Sequence, residues 1–505
     1  MTQYKTPGIY IEEKSVFPNS VAEVPTAVPA FIGYTQLAAN GSKSLHKKPM
    51  RISSLLEYHQ YFGYGPEVKF SIDDTKPGNK SDFKIIKNNI EKNYNLNWKS
   101  GKYMFYWSLC LFFENGGGPC YIVSIGNYGD EIKKQDLSDG IDLLTREQEP
   151  TIVVIPEAIL LSESDCAALQ QAMLNHCGNV MKNRFAILDI YNGYLDRNDS
   201  SGDVITSFRN NLSSDFLKFG AAYYPWINTT IVPADSLSYR NIDNQDILIS
   251  LLKEEVDLLF AEQTDISKAT AFKHEIEKIA TSGIAAIPDT LNQALIEISG
   301  LYKSICDTMR AKLNLLPPSS AMAGVYTQVD NSRGVWKAPA NVTVNSVVSP
   351  AVNMTDHDQG DLNISMDGKS INAIRSFIGR GVLVWGARTL DGNNVEWRYV
   401  NVRRTIIMLE ESINYAIKAF VFEANNANTW LSIKHMITNF LTAKWNAGAL
   451  AGAKPDEAFG VHVGLGSTMS PNDILDGILN ITVHVALSRP AEFLVITFRQ
   501  QMQKS

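Results

Sequence analysis

The chain has 505 residues, 45% of them hydrophobic and 20% charged, with a formal net charge of −7. That length and composition suit a globular protein of roughly three domains with a substantial core. The acidic balance disfavours non-specific nucleic-acid binding, and the lack of any apolar run of 18 or more residues excludes a membrane-spanning helix. Residues 1–24 read as an arm. Ile9, Ile11 and Glu13 share one strand face, and Tyr10 and Glu12 the other. Pro7-Gly8 and Phe17-Pro18-Asn19 cut this strand off locally, so it must pair elsewhere. Residues 25–63 form the N-terminal part of a core region, and the polar, turn-rich stretch 64–102 reads as a surface insertion with little core. Over 103–345 the apolar runs 121–125, 151–155, 185–190 and 221–224 alternate with helical patterns such as 162–177. This predicts a parallel α/β sheet covered on both faces. Helical patterns at 246–262, 271–280 and 290–313 predict a helical elaboration over 236–312. Residues 346–488 read as a C-terminal domain with strands in 371–390, helices over 401–423 and 429–447, and a strand in which Ile481, Val483, Val485 and Leu487 share a face. Arg489-Pro490 interrupts that ladder, and 489–505 resumes as a separate C-terminal strand through Phe493, Leu494, Val495 and Ile496.

The residues supply no catalytic constellation. Gly116-Gly117-Gly118 precedes a strand and lacks a following Lys-Ser or Lys-Thr, so a tight turn is expected rather than a phosphate cradle. The eight histidines form no HExxH, and His462 and His484 read as core or interface residues rather than ligands. Asp189 closes an apolar strand where α/β enzymes often keep an acid; without a partner it reads as a cap or turn residue. Five cysteines without a CxxC indicate free thiols formed in a reducing cytoplasm, and MTQYKTPGIY has no signal-peptide pattern. No cofactor and no metal are expected. Residues 371–505 carry 13 Lys+Arg against 10 Asp+Glu, a mild positive excess on an acidic chain.

Four separated segments resemble contractile-tail sheath proteins, in that family's order. They are 4–35 (TPGIYIEE leading to VPTAVPAFIG), FFENGGGPCYIVSIG at 112–126, LLPPSSAMAGVYTQVDNSRGVWKAPAN at 315–341, and 379 to the end with VWGART at 384–389. The resemblance implies a mixed α/β, multi-domain sheath protomer: an inner domain built from N- and C-terminal segments and an outer α/β domain with a helical insertion. It implies a non-enzymatic subunit that polymerises as stacked hexameric rings around an inner tube and contracts to drive that tube through a target envelope. Implied partners are further copies of the chain, the tube protein, and baseplate and terminator or cap proteins, with no nucleic acid and no direct membrane insertion. Assembly would be cytoplasmic, the finished particle being released or anchored at the inner membrane. Ile9, Tyr10, Ile11, Phe493, Leu494, Val495 and Ile496 would be inter-subunit strands. Arg403, Arg404 and Lys418 lie largely off the apolar stripe of the helix 401–423, and with Lys434 and Lys444 on the next helix they are expected to face an acidic tube. The alternative is a hydrolase-like α/β enzyme with an accessory domain.

Overall fold

A computed structural model describes residues 20–76, 80–87, 90–260, 266–281 and 289–493. They divide into two compact units, one drawn from 1–26, 333–337 and 401–505, the other from 27–332 and 338–400.

The larger unit is organised by short apolar strands. Pro29–Thr35, Cys120–Asn127, Ile152–Val154, Phe185–Asp189 and Gly220–Tyr224 are buried along almost their whole length. Strands without a polar face need cover on both sides, which parallel sheets receive from their crossover helices. These five, with Asn372–Phe377, pair in parallel. Among the described residues the sheet has nine strands, and Gly381–Trp385, Val342–Thr343 and Met50–Ile52 add antiparallel margins. The parallel sheet is as the apolar runs predict. Pro29–Thr35, read only as part of a core region, is one of its central strands.

Several expectations need correction. The stretch 64–102 is not a coreless insertion. Lys69–Asp74, Phe83–Lys87 and Ile90–Ser100 form a three-stranded meander. Phe70, Ile72, Phe83, Ile85, Tyr94 and Leu96 alternate along it and enter the same core as the large sheet and the helices Gln245–Leu259 and Gly300–Leu313. Lys312 pairs with Asp82 at 3.0 Å beside it. The pattern over 290–313 is two helices, Asp289–Ile298 and Gly300–Leu313. Ser299 breaks them, its hydroxyl accepting from Tyr302 N–H at 2.9 Å as a new N-cap. The boundary between compact units falls at 401, not near 346. Asn372–Phe377 continues the parallel sheet from Gly220–Tyr224, which binds 338–400 to the larger unit.

The smaller unit is two helices under a strand pair. Val400–Ile417, ending in a 3-10 turn at Lys418–Phe420, contributes Met408, Leu409, Ala416 and Phe420 to one apolar cluster. Ala427–Asn446 contributes Ile433, Met436, Ile437, Phe440 and Leu441, an i, i+3, i+4, i+7, i+8 stripe. Asn426 caps that helix, its side chain accepting from the N–H groups of Asn428 and Thr429. Phe459–Val463 pairs antiparallel with Ile481–Val485, and Ile481, Val483, Val485 and Leu487 pack against the cluster, the face expected of them.

Candidate functional site

The segments that carry the sequence resemblance build structure. At the end of its strand Asp189 accepts both the N–H (2.8 Å) and the hydroxyl (2.5 Å) of Ser319, the first residue of the helix Ser319–Arg333. It is a cap, as expected. Burial pushes its carboxyl up to about 7, against the Ser319 hydrogen bonds that favour the ionised form. Five residues on, Gly324 lies so close to the preceding aromatic helix that a Cβ would meet the Phe112 carbonyl at 2.5 Å. Asn115 accepts the Asn345 N–H at 2.8 Å. In VWGART, Asn372 accepts the Arg388 N–H (2.7 Å) and donates to its carbonyl (2.8 Å), while a Cβ on Gly386 would meet Asn372 Oδ1 at 2.8 Å. Gly116 has φ +87° at the turn before Cys120–Asn127, the turn its glycines predict.

A second buried acid escaped the sequence. Glu157 accepts N–H bonds from Tyr34 (2.9 Å), Met104 (3.2 Å) and Phe105 (3.3 Å), the latter two at the start of the helix Phe105–Glu114. Burial raises its carboxyl to about 7, opposed by those three donors. The signal that could have found it is its setting, since Glu157 is the one charged residue in the apolar run TIVVIPEAILL at 151–161.

The smaller unit places the sequence-selected basic residues unevenly. Lys418 is exposed, its ammonium 4.3 Å from the centre of the Tyr415 ring, and Lys434 is exposed on the second helix. Lys444 pairs with Glu23 and lies over the Trp336 ring at 5.5 Å. Arg403 and Arg404 are corrected: they are 6% and 4% exposed, not solvent-facing. Residues 20–26 cover this end of the helix. Val21 enters the apolar cluster, the Val24 N–H donates to Ser412 Oγ at 3.1 Å, and Arg404 Nη2 donates to the Thr26 carbonyl at 3.0 Å. Arg403 reaches Glu410 at 3.7 Å, and burial lowers its guanidinium from its ordinary value. No helical wheel could show that Arg404 meets a segment almost 400 positions away.

The same unit carries an unfinished sheet. Among the described residues Phe459–Val463 and Ile481–Val485 form a sheet of only two strands. Such pairs are marginal alone, and each offers an outer row of backbone N–H and C=O groups to a further strand. Residues 20–26, from which the N-terminal arm departs, are stitched to the helix of this unit. Phe493, where the described chain stops, is 67% exposed. Ile9, Tyr10, Ile11, Leu494, Val495 and Ile496 lie outside the described residues.

A family model for the phage tail sheath C-terminal domain matches residues 393–501, which include this strand pair and both helices' charged faces. The contracted sheath of an extracellular contractile injection system, PVC, is 25% identical with a TM-score of 0.58, covering 99% of each chain. The contracted helical sheath of the anti-feeding prophage is 26% identical with a TM-score of 0.59, covering 99% of this chain and 100% of that one. Residues 393–501 thus carry a phage tail sheath C-terminal domain, on a chain similar over nearly its whole length to contractile injection system sheaths. The chain is also similar to curated phage proteins. The tail sheath protein of Burkholderia phage BcepMu is 31% identical over 158 residues, 30% of this chain. That of Vibrio phage KVP40 is 25% identical over 220 residues, 42% of this chain. The matches span 33% and 31% of those two relatives' own lengths. The chain has a mixed α/β architecture, as those sheath structures do, and no helix among its described residues is long and apolar enough to cross a membrane.

Proposed function

We propose that this sheath protein polymerises as stacked six-fold rings around an inner tube and contracts to drive that tube through a target envelope, without enzymatic chemistry of its own. The observation that carries this reading is the open two-stranded sheet in the unit from which both terminal segments leave. An arm strand around Ile9–Ile11 of one protomer and a C-terminal strand around 493–496 of another would complete that sheet by strand addition. Main-chain linkages of this kind tolerate different side chains and can persist while the larger units move. The likeness to contracted injection-particle sheaths favours a released particle, with tube, baseplate and terminator proteins as partners.

The grip on the tube is proposed to rest on Lys418 and Lys434, the exposed members of the basic set. Exposed ion pairs each contribute about 0–1 kcal/mol and are screened by salt, so many copies could hold a tube firmly and still release it. Negative-stain imaging of the concentrated, purified full chain tests the assembly: striated tubes or cogwheel-like stacks are expected, and monodisperse protomers at every concentration would overturn it.

A further inference from the structure

The strand pair of the smaller unit has two faces. One packs on the apolar cluster through Val461, Ile481, Val483 and Val485. The other is exposed and carries His462 and His484. Neither is a core residue, and their ring centroids are 5.8 Å apart at an interplanar angle of 66°.

The register explains the approach. His462 opposes Thr482, and His484 opposes Gly460, so the two histidines are diagonal neighbours across the ladder. Diagonal partners normally stand about 7–8 Å apart at Cα, within reach of long or aromatic side chains. Gly460 closes the remaining gap. It has no side chain on this face, and the His462 ring leans back over it: a Cβ built there would meet His462 Nε2 at 3.2 Å. The bare backbone of Gly460 thus lets one imidazole lie beside the other.

We propose that His462 and His484 form a two-imidazole site for a divalent transition metal of the Zn(II), Ni(II) or Cu(II) class. Imidazole nitrogen suits these ions. With metal–nitrogen bonds near 2.0–2.1 Å and a tetrahedral angle, two ligating rings sit about 5 Å apart between centroids. The observed centroid distance of 5.8 Å is close to that value. The described residues contain no group of three or more His, Cys, Asp or Glu able to hold a metal, so water or a ligand from another molecule fills the remaining positions. A metal bridging the two rings ties one strand to the other and favours the folded strand pair by mass action. Protons compete for the ligating nitrogens, so binding weakens on acidification. The site does not depend on the assembly reading, and its test involves no assembly.

Titration calorimetry with Ni(II) on the full chain, in a buffer free of chelators, reads the site directly. Wild type is expected to bind one Ni(II) per protomer that H462Q and H484Q each lose or bind at least tenfold more weakly, the double variant losing no more than either single one. G460A keeps both ligands but displaces the His462 ring, and should weaken binding while leaving metal-free unfolding unchanged or nearly so. Ni(II) bound with the same stoichiometry and affinity by the double variant would overturn the proposal. So would a loss produced by only one of the two histidines, or wild-type binding no tighter than about 1 mM.

Discussion

The two units handle backbone hydrogen bonding in opposite ways. In the larger one, six parallel strands are flanked on each side by antiparallel ones, and buried acids or amides take up N–H groups at helix starts and motif corners: Asp189 for Ser319, Glu157 for Phe105, Asn115 for Asn345. The smaller unit has well-packed helices, yet its sheet stops at two strands among the described residues. Burial follows the same contrast. Five parallel strands of the large sheet are near-continuous buried runs, whereas Ile481–Val485 alternates half-buried and exposed positions. On the proposed function, stability and assembly fall to different parts of one chain, the second to the part whose described sheet has two strands.

The largest expected effect separates the two cores. Phe31 is fully buried with its ring 5.0 Å from that of Phe112, so F31A should cost about 3–5 kcal/mol in urea unfolding of the protomer. I481A, on a strand only half-buried, should cost about 1 kcal/mol. Equal costs would erase the contrast. D189A comes next. It strips the buried Ser319 N–H and hydroxyl of their acceptor, a loss of about 1–3 kcal/mol.

Asp189 and Glu157 also give the larger unit a pH dependence with a definite sign. Both carboxyls are raised to about 7 from ordinary values of 3.8 and 4.5, so the folded state binds protons more readily than the unfolded chain. Their contribution is full below the unfolded values and is lost as the pH rises through about 7. Urea midpoints should therefore be higher at pH 5.5 than at 7.5, and E157Q combined with D189N should flatten that difference. A midpoint that falls on acidification to the same extent in wild type and double variant would contradict it. The smallest effect on the protomer belongs to K418E with K434E: unfolding within about 0.5 kcal/mol of wild type, but loss of extended sheath around tube. Normal co-assembly of that variant with tube would remove these lysines from the gripping surface.

The parallel sheet was legible because doubly covered strands leave near-continuous apolar runs such as TIVVI and FAILDI. The meander at 69–100 was not. Its buried alternation, Phe70-Ile72 and Tyr94-Leu96, is interleaved with Lys, Asn and Asp on the solvent face and reads as turn-rich polarity. Phe459–Val463 was missed for a similar reason, since Gly460 and His462 interrupt its apolar positions. At the candidate site, amphipathicity identified both helices and the inner face of Ile481–Val485. It misplaced Arg403 and Arg404, which are buried; Arg404 meets the carbonyl of Thr26, in a segment distant in sequence that leaves no local signal on the helix.

On the proposed function, the N-terminal arm serves assembly and not the protomer's own fold. Deleting residues 1–20 leaves Val21 and the contacts of Val24 and Thr26 in place. Sedimentation and negative-stain imaging of that truncated chain, alongside its urea unfolding curve, test the claim most directly. A protomer that unfolds like wild type but forms no tubes or stacks is the predicted result; tubes indistinguishable from wild type would contradict it.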